Sequence, residues 1–221
     1  MARRTARAAR PFILVLAGVN GAGKSSVAGA MLAAQGLAWF NPDTLARELV
    51  AELGLDGTEA NARAWTIGRD RLEAALREGR NHAFETTLGA STIPELLVQA
   101  ARTHDVMMLF CGLASAELHL QRVKQRVAQG GHDIPEAKIR ERWMSSRANL
   151  VRLLPHLARL QVFDNSAQVA LGKPIPDPLL VLEMARGRVL HPAPGDAAAL
   201  AATPAWARPV VQAAFELDAA R

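Results

Sequence analysis

With 221 residues, half of them hydrophobic, the chain can bury one sizeable core, and no apolar run approaches the roughly 20 residues of a membrane-spanning helix. Its single cysteine, Cys111, excludes an intramolecular disulfide and a cysteine-based metal centre. The net charge of +5 rests on 26 basic residues, of which only Lys24, Lys124, Lys138 and Lys173 are lysine; with no tyrosine and no basic groove-reading helix, a genome rich in Ala and Arg codons explains this better than a nucleic-acid partner.

The expectation for residues 1–11, with Arg3, Arg4, Arg7 and Arg10, is a disordered basic arm on a cytoplasmic protein. Phe12 to Ala17 then reads as a buried strand. It feeds Gly18-Val19-Asn20-Gly21-Ala22-Gly23-Lys24-Ser25, which fits G-x-x-x-x-G-K-[ST] in full, and a helix-compatible segment follows over residues 26–34. Strand, glycine loop and helix together are the context that gives this short pattern its meaning. In such a loop the backbone of Gly18, Asn20, Gly21, Ala22 and Gly23 curls so that its N–H groups face one hollow. The following helix, from Ser26 onward, adds unpaired donors and a positive dipole end. Lys24 offers a cation to the outer phosphates and Ser25 a hydroxyl to Mg²⁺. The ligand expected is a nucleoside triphosphate, ATP or GTP.

Further along, residues 39–43 read as a second strand. Thr44 caps a helix with Leu45, Leu49 and Leu53 at helical spacing, and a longer helix over 60–78 ends at Gly79. Residues 81–86 form a third strand candidate, Pro94 sits in the first turn of a helix toward Arg102, and Val106 to Leu113 is apolar enough for a central strand. Ser115 caps a helix through Ala128, a Gly130-Gly131 loop follows, and another helix runs from Glu136 toward His156. Leu160 to Phe163 reads as the last core strand. Beyond it the sequence suggests a small strand or turn near 179–190 and a terminal helix near 205–219.

Alternating strands and helices of this kind predict an α/β fold: a three-layer P-loop NTPase sandwich, with a mostly parallel sheet of about five strands and helices on both faces. The domain expectation is the arm at 1–11, a kinase-like domain at 12–172 and an extension at 173–221 packed on the core. Arg122 and Arg126 lie one turn apart on one helix face, and the next helix offers Arg140, Arg142 and Arg147. Two arginine-bearing helices joined by a Gly-Gly loop look like a lid over 115–150. Arg126, Arg122 and Arg140 are then the candidates for neutralising a transferring phosphoryl group. Solvated basic faces are the alternative.

Asn41-Pro42-Asp43, Glu85-Thr86-Thr87-Leu88, the Arg122 and Arg126 helix, Gly130-Gly131-His132-Asp133-Ile134-Pro135 and Asp164-Asn165-Ser166 occur in the order found in one family. From about Phe12 to Ser166 the chain resembles the zeta-toxin-like kinases, most closely the bacterial branch described as predicted ABC-type ATPases. That resemblance implies phosphoryl transfer to a small-molecule hydroxyl, with a nucleotide sugar such as UDP-N-acetylglucosamine as the acceptor known for zeta toxins and an antitoxin protein as a candidate partner. It implies that Asp43 acts on the acceptor hydroxyl, where the residues alone leave a helix cap or turn equally open. It places Glu85, with Thr86 and Thr87, at the acceptor and Asn165 at the base; the residues alone leave a surface glutamate and a simple turn open, and the place of Glu85 at a strand end also suits Mg²⁺. Arg69 reaching the acceptor is a further expectation. Where zeta toxins carry a second lid arginine, this chain has His132 nearest, so that Arg140 or another arginine must serve. An ATPase or switch acting on a protein partner is the alternative function, although the chain lacks the signature sequence of ABC ATPases.

Overall fold

A computed structural model of the chain describes residues 10–27, 38–131, 133–168 and 176–221. Residues 1–9 of the arm expected at 1–11, most of the helix expected at 26–34, and His132 lie outside the described residues. The arm expectation is corrected at its end: Arg10 donates to the Ala101 and His104 carbonyls at 3.0 and 3.2 Å, and the Pro11 carbonyl accepts from Asp105 N at 2.8 Å.

β1 (Phe12–Ala17) leads through the glycine loop into α1, helical at residues 24–27. α2 (Pro42–Leu53) and α3 (Gly57–Glu78) precede β2 (His82–Thr86). Then come α4 (Thr92–Ala100), β3 (Asp105–Gly112), α5 (Ala116–Ala128) and α6 (Glu136–Leu153). A short 3-10 turn, Leu154–His156, leads to β4 (Arg159–Asp164), β5 (Leu179–Ala185) and β6 (Arg188–His191). α7 (Ala197–Ala202) and α8 (Arg208–Ala219) close the chain.

The strands form one sheet of order β2-β1-β3-β4-β5-β6, parallel across its first four strands and antiparallel across the last two pairings. With helices on both faces, this is the α/β P-loop NTPase architecture. Strand β1 explains its own sequence. Ile13, Val15 and Ala17 face one layer, against Val106, Met108 and Phe110 of β3, Leu72 of α3, Leu97 of α4 and Leu150 and Leu153 of α6. Leu14 and Leu16 face the other side with Ala83, Met107 and Leu109. A strand covered on both faces is apolar at every position.

Two further expectations are corrected. Residues 39–43 do not form a strand. Phe40 makes a single parallel bridge to Phe84, donating its N–H to the Ala83 carbonyl and accepting from Glu85 N, both at 2.9 Å. Pro42 then removes a donor and starts a helix, so α2 begins with Asn41 as its cap and Thr44 already inside the first turn. The sheet also does not end at β4. Residues 179–190 form a hairpin whose two turn residues, Arg186 and Gly187, both have positive φ (49° and 77°), the handedness that suits a two-residue hairpin turn. The sheet thus has six strands. The later segments are built into the core: Trp206 packs on Phe110 and its indole N–H donates to Asp164, while Val210 and Val211 of α8 lie in the main cluster.

Candidate functional site

The loop after β1 meets the C-terminal ends of β2, β3 and β4, the edge of a parallel sheet where ligands bind. Gly18 cannot carry a side chain. Its φ is 138°, and a Cβ there would lie 2.2 Å from the Cys111 carbonyl oxygen on β3. Its N–H donates to the Thr86 carbonyl at 3.2 Å, seating the loop on β2. Burial pushes the Cys111 thiol up to about 12, an inert packing group beneath the loop.

Glu85, near the end of β2, organises the centre. Its carboxylate receives the Ser25 hydroxyl at 2.9 Å and the Asn41 amide at 3.0 Å, and lies 3.3 Å from Lys24 Nζ. Lys24 and Glu85 are both nearly inaccessible, with side-chain exposures of 8% and 9%. Asn41 caps α2, accepting from Asp43 N at 2.9 Å. Ser25 and Glu85 thus offer adjacent hard oxygen donors. Together with phosphate oxygens and water, that set suits Mg²⁺, which binds through few protein ligands. Among the described residues no group of three or more His, Cys, Asp or Glu could hold a metal without such help.

Two chambers of about 820 and 850 Å³ meet at this centre and share Asn20, Lys24, Asn41, Asp43 and Glu85 in their walls. One is walled by Gly21, Gly23, Ser25 and Ser26 of the loop and by Arg122 and Arg126 of α5. The other is walled by Phe40 and Trp65, by Thr86 and Thr87, and by Arg142 and Lys138 of α6. Asp43 therefore faces both. One chamber is walled by the glycine loop, hydroxyls and cations; the other has aromatic faces, hydroxyls and mixed charge.

The expected residues separate accordingly. Lys24, Ser25, Asp43, Glu85, Thr86, Thr87, Arg122 and Arg126 are gathered around the junction. Arg122 also donates to the Asn165 and Ala167 carbonyls, at 2.7 and 3.2 Å, and burial lowers its pKa. Ala22 and Asn165 stand behind the loop: the Asn165 amide donates to the Ala22 carbonyl at 2.9 Å and walls neither chamber. Arg140 points elsewhere, paired with Glu117 at 2.7 Å and Glu136 at 2.8 Å, and those partners raise its pKa. Arg69 pairs with Asp70 at 2.7 Å and lies over the Trp65 ring at 5.4 Å, outside both chambers.

Three residues had no assigned role in the sequence. Arg142 reaches the glycine loop, donating to Asn20 Oδ1 at 2.8 Å across the second chamber. It fits there because Gly89 has no side chain; a Cβ would come 2.6 Å from Arg142 Cγ. His119 of α5 lies buried and donates from Nδ1 to the Asn20 carbonyl at 2.8 Å; burial lowers its pKa to about 4, so it is neutral at pH 7. Asn41 is the third.

A family model described as an AAA domain matches residues 13–153, which includes the loop, the junction and both arginine-bearing helices. Among solved structures, chains of the AvrRxo1-ORF1:AvrRxo1-ORF2 complex are similar, with sulphate ions at 20% identity and with ATP at 18%, each with a TM-score of 0.62. The matches cover 81% and 82% of this chain and 60% of each solved chain, so this chain spans about three fifths of their length. A structure from the PezAT chromosomal toxin-antitoxin system of Streptococcus pneumoniae is similar at 16% identity and a TM-score of 0.52, covering 79% of this chain and 78% of that one. No match to the chain was found among curated proteins. No helix among the described residues is long and apolar enough to cross a membrane.

Proposed function

The chain belongs to the AAA domain family, and on that premise we propose that it is a kinase transferring the terminal phosphoryl group of ATP or GTP to a hydroxyl of a small molecule. The observation that carries this reading is the junction itself: two chambers of different chemistry share a wall made of Lys24, Glu85 and Asp43. A hydrolase needs room only for the nucleotide and a water. The second chamber is large enough for an organic acceptor.

In this reading the triphosphate lies along Gly21, Gly23, Ser25 and Ser26, with Arg122 and Arg126 over its charge. The acceptor lies against Thr86 and Thr87, and Asp43 takes its hydroxyl proton as the oxygen bonds to the terminal phosphorus. The bond from that phosphorus to the bridging oxygen breaks, and the nucleoside diphosphate leaves with the electron pair. Ser25 and Glu85 would hold Mg²⁺, which when bound would neutralise part of the phosphate charge. Lys24 follows the moving charge. Arg142, which touches the loop at Asn20, is better placed than Arg140 to act beside the transferred group.

The resemblance to zeta-toxin-like kinases narrows the acceptor to a nucleotide sugar such as UDP-N-acetylglucosamine, and it makes an antitoxin-type protein the partner to look for. Residues 12–172 would form the kinase unit with α5 and α6 as its lid, 173–221 an extension, and the site of action the cytoplasm. The test is incubation with γ-labelled ATP, Mg²⁺ and a cell metabolite extract, with UDP-N-acetylglucosamine alone in parallel. A new labelled phosphomonoester is expected by mass spectrometry. Label released only as inorganic phosphate, with release stimulated by a partner protein, would favour the ATPase reading.

A further inference from the structure

We infer that Asn41 is a positioning residue, which sets Asp43 relative to the donor phosphate through Glu85; the inference rests on the kinase reading above. Its amide is used at both ends. Oδ1 accepts from Asp43 N at 2.9 Å and Thr44 N at 3.4 Å, holding the first turn of α2. Nδ2 donates at 3.0 Å to the Glu85 carboxylate oxygen that also receives Ser25 Oγ. The other Glu85 oxygen faces Lys24 at 3.3 Å. One side chain thus joins the base-bearing helix turn to the carboxylate that holds both phosphate-loop side chains.

The backbone around Asn41 leaves this linkage as the adjustable part. Phe40 is fixed on β2 by its two hydrogen bonds, and Pro42 fixes the first helical residue. When a triphosphate enters, its charge competes with Glu85 for Lys24, and Glu85 must re-partner. Through Nδ2 that change is felt at the α2 N-terminus, two residues from Asp43. Donor binding would thereby set the position of the base.

A helix cap alone does not need an amide. Ser and Asp cap as well as Asn because only the side-chain oxygen is used. The N–H donated to Glu85 is what Asn adds, and this separates a positioning role from a purely structural one. Asn41→Ser keeps a cap oxygen and removes the link. Asn41→Asp keeps the cap, removes the donor and sets a second carboxylate beside Glu85.

The experiment compares wild type, Asn41→Ser, Asn41→Asp and Asp43→Asn. The donor is γ-labelled ATP, and a low-molecular-weight metabolite extract at fixed concentration is the acceptor source. Apparent kcat and the KM for ATP are read from labelled product, alongside melting temperature and ATP affinity. Expected for Asn41→Ser is a melting temperature and ATP affinity close to wild type with kcat lowered roughly 10- to 100-fold, the scale of a slight misplacement of reacting groups. Wild-type kcat in Asn41→Ser beside an inactive Asp43→Asn overturns the inference and leaves the kinase reading standing. Loss of ATP affinity in step with kcat also overturns it, since Asn41 would then serve donor binding. Should Asn41→Ser fail to fold, Asn41→Asp decides by the same criteria. Full transfer by Asp43→Asn removes the assignment of the base, and the inference with it.

Discussion

Replacing Glu85 by Gln keeps the side chain's shape and removes one charge from the buried centre. In the native protein Lys24 Nζ lies 3.3 Å from the Glu85 carboxylate, and both side chains are more than nine-tenths covered. Breaking such a pair from one side leaves an ammonium without a counter-charge, at a cost of about 3 kcal/mol or somewhat more. The one carbonyl oxygen can still receive the Ser25 hydroxyl and the Asn41 amide, which share an oxygen in the native protein, but the new amide N–H₂ then faces Lys24 Nζ, donor against donor. For a chain of this size the loss corresponds to a fall in melting temperature of about 6–12 °C. A triphosphate analogue without Mg²⁺ supplies the missing negative charge beside Lys24, so its stabilising shift should be larger in Glu85→Gln than in wild type. Adding Lys24→Met to Glu85→Gln removes the stranded charge and should recover part of the loss, which a double-mutant cycle measures. Calorimetry of the four proteins is the assay. A Glu85→Gln protein melting within about 1 °C of wild type would refute the reasoning, since such a shift is well under 1 kcal/mol.

Gly18→Ala forces a Cβ to within 2.2 Å of the Cys111 carbonyl at a φ of 138°, so it should cost about 3 kcal/mol or more and abolish triphosphate binding; wild-type affinity by titration calorimetry would contradict this. His119 titrates near 6.5 when unfolded and near 4 when folded, so its contribution to stability is complete above pH 6.5 and is lost as pH falls toward 4. That loss is on the order of 3 kcal/mol, and urea unfolding between pH 7 and 4 should show a flatter slope in His119→Gln than in wild type; equal slopes would exclude the assignment. Arg142→Ala should lower labelled product formation by roughly 100-fold, as for removal of one charge-stabilising donor, while Arg140→Ala stays within about 2-fold. The reverse order would return the lid role to Arg140.

The parts legible in the sequence are those dictated locally. The glycine loop announces itself because its backbone needs glycines and its ligand needs Lys24 and Ser25. Strands β1 and β3 are legible because a strand covered on both faces is apolar throughout. Residues 39–43 misled because Trp39 and Phe40 suit a strand, while the outcome turns on Pro42 and on the Asn41 side chain bonding its own backbone two residues on. The hairpin at 179–190 was only half visible, since Arg186-Gly187 is an unobvious turn pair and the partner strand β4 is distant in sequence.

The arginines show a different limit. Arg140 and Arg142 sit two residues apart, roughly 200° around a helix, so one faces solvent when the other faces the loop. Which one does so depends on how Ile139, Leu150 and Leu153 seat α6, and on the gap left at Gly89. Neither is a property of the local sequence. Asn165 is a turn former in either setting; only the fold places it against Ala22.

The most direct measurement is a side-by-side test of binding and transfer in Lys24→Ala and Asp43→Asn. ATP affinity is followed by calorimetry, and labelled organic phosphate by mass spectrometry. If one wall serves two chambers as described, Lys24→Ala loses both quantities, whereas Asp43→Asn keeps ATP affinity and loses the phosphorylated product. Undiminished product from Asp43→Asn, or ATP bound with wild-type affinity by Lys24→Ala, would contradict the account.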